Sequence, residues 1–416
     1  MKNTNITPSP RRILLSTAGA TPQIVTETLY AINKDGLPWP DEIRVITTTT
    51  GAEKVRKGLL NDGHLDRLCT ELGRSRPAFD GDSILIIPDA NGQKVDDARS
   101  LADHEALGDF IMTQVRDITA DSNTVLHASL AGGRKTMTFY LGYAMSLFGR
   151  SQDMLSHVLV SEDFENLPDF WYPSLLQGDL NKTSRTGEVV KILKSADAQV
   201  TLAQIPFMRM HQDLPKAMRE VGKSIRFTDL ILRMNMGNAP GSIRLRIDLP
   251  NQQLAIWSAE AGEKSQVLLS PNRLELAFYM MCYRCALDDF QVFRPNPQEK
   301  LDVDAELLRR LWSELLAVCG LQHEDEWPAA KSAIERCTKI GDGIERSLKK
   351  IDKMVSEKTI ATEWFDQRLN TLKTLITEQF PQAVADQILP SLEGKNRPYR
   401  IRLPLENITL VEAKRV

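Results

Sequence analysis

From Arg12 to about Pro173, short apolar runs alternate with longer stretches in which apolar residues recur every three or four positions. The short runs predict strands at 13–16, 43–47, 83–88, 124–129 and 155–160. The longer stretches predict helices at 22–33, 52–60 with a further turn through 72, 104–119 and 135–148. Strands and helices that alternate in this way form a parallel sheet covered on both faces, so the fold class is α/β, with a doubly wound, Rossmann-like first domain.

Beyond about residue 174 the alternation stops. A helix is predicted at 225–236, and strands at 242–249 and 253–257 flank Pro250-Asn251 as a hairpin. A third strand at 267–269 is followed by Ser270-Pro271, an N-cap and first-turn pair that opens a helix over 274–287. The segment 302–355 is helical and charged, with Leu307, Leu308, Leu311, Leu315 and Leu316 as its core stripe. A helix at 364–380 carries Arg368, Asn370 and Lys373, and the turn at 394–403 leads into a basic strand. Helix, helix and basic wing is the order of a winged helix-turn-helix, so the second domain is expected to be winged-helix-like α+β with a helical insertion. Lys395, Arg397, Arg400 and Arg402 would then meet DNA phosphates, or decorate the solvated wing of a packing or dimerisation module. The expected divisions are a disordered lead-in at 1–11, a first domain at 12–200 and a second at 201–416.

The chemistry gathers where strands end. Ser129-Leu130-Ala131-Gly132-Gly133-Arg134-Lys135-Thr136 joins a strand to a helix. Its glycine pair lets backbone amides approach an anion, the helix start adds positive dipole, and Arg134 and Lys135 add formal charge. A second turn, Ser16-Thr17-Ala18-Gly19-Ala20-Thr21-Pro22-Gln23, repeats the logic, with Thr21 as N-cap and Pro22 at the first helical position. In doubly wound sheets ligands bind beyond the carboxyl ends of the strands, where strand order reverses. Those ends hold Ser16, Thr17, Thr47 to Gly51, Pro88, Asp89, Ser129 to Lys135 and Ser161: hydroxyls, glycines and two cations with few acids. That set suits a phosphate-bearing ligand without a metal. Arg134 stands where a P-loop requires glycine, and no G-x-G-x-x-G follows the first strand, so Walker-type hydrolysis and NAD chemistry lose support.

Composition narrows the rest. The 416 residues are 42% hydrophobic and 26% charged, which fits a soluble two-domain protein, and the net charge of -3 gives no overall attraction to nucleic acid. No apolar run is long enough to span a bilayer, and the polar lead-in lacks a signal-peptide core. Five cysteines, an odd number, imply reduced thiols in a cytoplasm. Cys282 and Cys285 form a C-x-x-C inside a helix with no partner pair, which favours buried thiols over zinc. His127 and His157 lie on strands and read as hydrogen-bonded structural residues.

Three segments together, 14–23, 129–137 and 153–160 ending near Phe170-Trp171-Tyr172-Pro173, resemble the CARF domain, the sensor of cyclic oligoadenylate in type III CRISPR immunity. The similarity is to the branch of CRISPR-associated ring nucleases. It implies a homodimer that binds a ring of AMP units, cyclic tetra-adenylate, across its two-fold axis, a symmetry that suits an isologous interface. By the matching motifs, Ser16, Thr17, Thr21 and Gln23 would contact the ligand from the first turn. Gly132, Gly133, Arg134 and Lys135, flanked by Ser129 and Thr136, would do so from the second, with Thr49, Thr50 and Gly51 beside them. It further implies cleavage without metal or other cofactor, by attack of a ribose 2′-OH on the neighbouring phosphate. Lys135 is the candidate charge stabiliser there, and Ser16 or Thr17 would orient the ribose. Many CARF proteins carry an R-x4-6-H ribonuclease motif, and Arg99 to His104 has that spacing, but it falls inside the sensor domain and reads as chance. Two rivals stand beside the enzyme: a non-catalytic sensor gating DNA binding, and an effector whose C-terminal chemistry has no recognisable motif.

Overall fold

Strands that are apolar along their whole length must be covered on both faces, and the first unit of the chain is built that way. The computed structural model describes residues 9–96, 100–165, 167–183, 188–220, 225–296, 302–337, 344–392 and 397–412. Its chain divides into a unit of residues 1–214 with 219–227 and a unit of residues 215–218 with 228–416. The expected lead-in lies mostly outside the described residues, and Arg11 already begins the first strand.

In chain order the first unit contains β1 (Arg11–Thr17), α1 (Gln23–Lys34), β2 (Glu42–Thr47), α2 (Thr49–Val55), α3 (His64–Glu71), β3 (Ile84–Ile86) and α4 (Leu101–Ala120). There follow β4 (Thr124–Ser129), α5 (Lys135–Phe148), β5 (Met154–Val160), β6 (Asp179–Thr183), β7 (Val189–Lys194) and β8 (Val200–Gln204). The sheet order is β3-β2-β1-β4-β5-β8, parallel except for β8, which runs antiparallel to β5. The chain winds outward from β1 to β3 and then crosses back to β4, so strand order reverses between β1 and β4. Leu14 enters a core with Val25, Leu29 and Ile32 of α1 and Leu65 and Leu68 of α3. Ile13 and Leu15 alternate with Leu14 and are also buried, leaving the opposite face to α4 and α5, which pack on each other and on β4 and β1.

Local chemistry explains where elements differ from expectation. The helix expected at 52–60 becomes α2 followed by a π-helical turn at Arg56–Asn61, because Gly58 lies against the indole of Trp171: a Cβ there would sit 2.1 Å from a ring carbon. Gly63, at φ 70°, then separates this turn from α3. Helix α4 starts before residue 104 because Ser100 and Asp103 form a reciprocal capping box. Thr21 is not the N-cap of α1. Pro22 takes that position with helical dihedrals already, and no side chain caps the turn. The first unit also runs past residue 200, since β8 extends its sheet, and it carries a hairpin of β6 and β7 in which β6 is mostly polar and β7 leaves Val189, Val190 and Ile192 exposed.

The chain reaches the second unit through a single turn, α6 (Lys216–Arg219), and α7 (Phe227–Met236). Next come β9 (Ile243–Asp248), β10 (Gln253–Ser258), β11 (Val267–Leu269), α8 (Arg273–Leu287), α9 (Asp302–Val318), α10 (Trp327–Cys337) and α11 (Ile344–Glu357). The unit ends with α12 (Thr362–Thr377), α13 (Gln382–Ile388), β12 (Ser391–Leu392), β13 (Tyr399–Arg400) and β14 (Ile408–Val411). The predicted β9–β10 hairpin is present, and β11, β10, β9 and β14 form one sheet in that order, with β14 parallel to β9. The N-cap of α8 is Asn272, whose side-chain oxygen accepts from Leu274 and Glu275, in place of the expected Ser270. From Leu274 to Tyr283 every side chain of α8 is buried, so this helix forms the centre of the unit.

Where the sequence predicts a wing, the described residues show a two-residue antiparallel pairing of β12 with β13. Arg397, Arg400 and Arg402 are exposed there, and Lys395 lies outside the described residues. Arg368 of α12 is largely shielded from solvent and pairs with the buried Glu275 of α8 at 2.6 Å. A buried carboxylate without its partner is costly. Arg368→Ala is therefore expected to destabilise the second unit by about 3 kcal/mol, read as a lower urea midpoint, whereas an unchanged midpoint would return Arg368 to the solvated surface.

Candidate functional site

Three strand ends converge at the reversal point. The register pairs Ser16 of β1 with Ser129 of β4, so the turns after these strands emerge side by side. The Thr17 hydroxyl donates to the carbonyl oxygen of Gly132 at 2.5 Å. A Cβ on Gly132 would fall 2.9 Å from the Thr17 carbonyl oxygen, and one on Gly19 would fall 3.4 Å from the Gly133 Cα. The turn after β2 joins them, for a Cβ on Gly51 would lie 3.1 Å from the Gly19 carbonyl oxygen and clash with the Thr47 side chain. Glycines at 19, 51, 132 and 133 thus let three backbones meet where larger residues would hold them apart. The φ of Gly133, 93°, turns the chain into α5.

The predicted residues separate into a buried set and an open set. Ser16, Thr17, Gln23 and Ser129 are buried. Thr17 holds Gly132, Gln23 donates to the carbonyl oxygen of Pro168 at 2.8 Å, and the Ser129 hydroxyl faces that of Thr28 at 3.4 Å. Ser16 and Thr17, expected to orient a ribose, are fully buried in this structure. They hold the turns together. Gly51 is buried as a packing residue, and Thr49 is tied to the Val95 carbonyl oxygen at 3.1 Å. The open set is Thr50, Gly133, Arg134 and Lys135, with Thr21, Gly132 and Thr136 half-buried beside them.

Of this open set, Thr50 lies on α2, and Gly133, Arg134 and Lys135 stand at the start of α5. Its N-cap is Arg134, in extended conformation, which has no side-chain oxygen for the first-turn amides. By contrast, Thr48 caps α2 and Ser100 caps α4. First-turn amides, positive dipole, an exposed glycine and two cationic residues give this helix start a positive electrostatic character that faces solvent. Among the described residues, no group of three or more His, Cys, Asp or Glu side chains converges as a metal-ligand set.

The other residues singled out in the sequence are structural. His127 meets the Ser156 hydroxyl at 2.7 Å, and burial pulls its pKa down to about 4. Cys282 and Cys285 are buried free thiols whose pKa values burial raises, that of Cys285 to about 11. Arg99 lies outside the described residues, and His104 sits in the first turns of α4. One ionisable group went unnoticed. Glu27 is buried on the apolar side of α1, and its pKa is pushed up to about 7 by burial first and by the Glu165 carboxylate second. Its signal was a carboxylate inside an amphipathic apolar face, between Val25 and Leu29. Near it, Thr26 donates to the Trp171 carbonyl oxygen at 2.7 Å, stitching α1 to the 168–171 segment.

Strand order, parallel pairing and the reversal between β1 and β4 make the first unit a doubly wound, Rossmann-like α/β domain. A family model described as CRISPR-associated protein NE0113 matches residues 21–235, and the chain belongs to that family. No curated protein matches the chain. Among solved structures, Csm6 of Enterococcus italicus bound to cyclic hexa-2′-fluoro-hexa-dAMP is similar at 10% identity, with 89% of this chain and 93% of that chain covered and a TM-score of 0.27. The fold assignment rests on strand order, not on so loose an overlap. No helix among the described residues is long and apolar enough to cross a membrane.

Gly132→Ala should force the β1 and β4 turns apart. The expected cost is about 1–3 kcal/mol from overpacking, seen as a lower urea midpoint together with faster amide exchange at residues 17–21 and 130–134; exchange unchanged in both segments would refute the close approach. For Glu27 the folded pKa of about 7 lies above its ordinary 4.5. The folded state therefore keeps a proton that the unfolded chain releases, so stability is lost as pH rises from 4.5 to 7 and stays low above that. Glu27→Gln should match the parent protein below pH 4.5 and exceed it above pH 7 by on the order of 3 kcal/mol. His127 titrates in both proteins and cancels, so equal denaturation midpoints at pH 8 would contradict the burial of an ionised Glu27.

Proposed function

We propose that the reversal point of the first unit binds a cyclic oligoadenylate, taken as the four-membered ring, and cleaves it without a metal. One observation carries the reading: the Thr17 to Gly132 hydrogen bond packs two anion-type turns edge to edge. The amides and charge at Gly133 to Lys135 are thereby fixed before any ligand arrives. Membership of a CRISPR-associated family and the resemblance of these turns to CARF ring nucleases support the choice of ligand. A second copy of the chain, related by a two-fold axis, would present the same turns to the other half of the ring.

In the proposed reaction a ribose 2′-oxygen forms a bond to the adjacent phosphorus as the P–O5′ bond breaks. The 2′-hydroxyl proton passes to solvent and the O5′ leaving group takes one up, leaving a 2′,3′-cyclic phosphate and a 5′-hydroxyl. The protein's part is to hold the in-line geometry and to stabilise charge on the phosphate, through first-turn amides of α5 and the Lys135 ammonium. With Ser16 and Thr17 buried, orientation of the ribose falls to the backbone cradle.

The same burial favours a second reading, in which the site binds the ring without cutting it and signals to the exposed Arg397, Arg400 and Arg402 of the second unit for contact with DNA. Mass spectrometry of cyclic tetra-adenylate incubated with the protein in EDTA separates the two. The expected result is linear product ending in a 2′,3′-cyclic phosphate, with both turnover and affinity reduced at least about tenfold in Lys135→Ala. An intact ring that still binds would establish the sensor, and no binding at all would end both readings.

A further inference from the structure

The most exposed aromatic side chain among the large apolar groups of the described residues stands one turn beyond the positive start of α5. Phe139 on α5 is 62% exposed. It follows Lys135 by four residues, which places both on one face of the helix about 5–6 Å apart. Helix side chains lean towards the N-terminus, so the ring of Phe139 leans back over the turn that carries Lys135.

The ring is also braced from behind. Its centroid lies 5.8 Å from that of Tyr140 and 5.9 Å from that of Tyr143. Both tyrosines in turn meet Phe227 edge-on, at 5.3 and 5.4 Å. An isolated exposed apolar residue needs no explanation. Here, though, the exposed ring is held by two tyrosines that Phe227 braces in turn, and it adjoins the amides and cations at the start of α5.

A nucleotide carries its base on a ribose, roughly one helical turn from its phosphate. A phosphate seated at Gly133 and Lys135 would therefore bring its base over Phe139. We infer that Phe139 is the stacking platform for one base of the cyclic oligoadenylate, an inference that rests on the function proposed above. Stacking on an aromatic face holds a base without reading its edge, so Phe139 sets the grip on the ring and leaves selection of adenine to other groups.

Calorimetry with cyclic tetra-adenylate tests this on the full chain. Phe139→Ala is expected to weaken binding about ten- to a hundredfold, with its urea midpoint and its mass by light scattering unchanged. Phe139→Trp is expected to keep the affinity and to add a ligand-dependent quench of indole fluorescence that the parent protein does not give. Unaltered affinity in Phe139→Ala, while the parent protein binds normally, overturns the inference and leaves the proposed function standing. Loss of affinity accompanied by a fall in mass also overturns it, because the side chain then serves a contact between copies. Absence of heat with the parent protein removes the reading beneath, and the inference with it.

Discussion

Two backbones can pack against each other only where side chains are absent, and the carboxyl end of the parallel sheet is organised by that constraint. Gly19 lies between Gly51 and Gly133, and Gly132 is pressed against the carbonyl of Thr17, which closes the contact with its own hydroxyl. The approach works because the strands carrying these turns, β2, β1 and β4, are neighbours in the sheet. Strand order brings the turns together, glycine lets them touch, and one buried hydroxyl fixes their spacing. The exposed start of α5 inherits its position from that arrangement.

The division of labour around the site follows from burial. Hydroxyls within β1 and β4 point into protein and are satisfied there, as buried polar groups must be. The groups left for a ligand are backbone amides, Lys135 and the half-buried residues beside them, which favour an anion and supply little acid or base chemistry. A reaction that requires only in-line geometry and charge stabilisation suits such a site better than one that needs a tuned general base. Glu27, whose pKa burial raises to about 7, lies in the buried face of α1, the helix that Gln23 and Thr26 tie to the 168–171 segment. Its buried position ties the stability of the first unit to pH near neutrality.

The second unit is organised by a different constraint. An apolar helix, α8, occupies its centre, and Glu275 is carried inward with it, so a cation must follow. Arg368 is that cation. A cation of the 364–380 helix is thus drawn into the interior of the unit, while Lys373 on the same helix and Arg397, Arg400 and Arg402 stay exposed.

Much of the first unit was legible in the chain. The period of its apolar residues marked all five parallel strands and their helices, because a sheet covered on both faces leaves unbroken apolar runs. Glycines and hydroxyls at strand ends marked the turns that meet at the reversal point, since two backbones approach closely only where side chains are absent. What the residues could not reveal was non-local. The sequence placed β8 and β14 nowhere, because an edge strand made by a distant segment has no local period to announce it. Ser16 and Thr17 read in the sequence as ligand contacts, because a hydroxyl reads the same whether it faces solvent or a buried partner. Sequence by itself determined which residue types stand at each strand end; tertiary structure decided which of them face water, because burial depends on neighbours that lie more than a hundred residues away in the chain, as Gly132 does from Thr17.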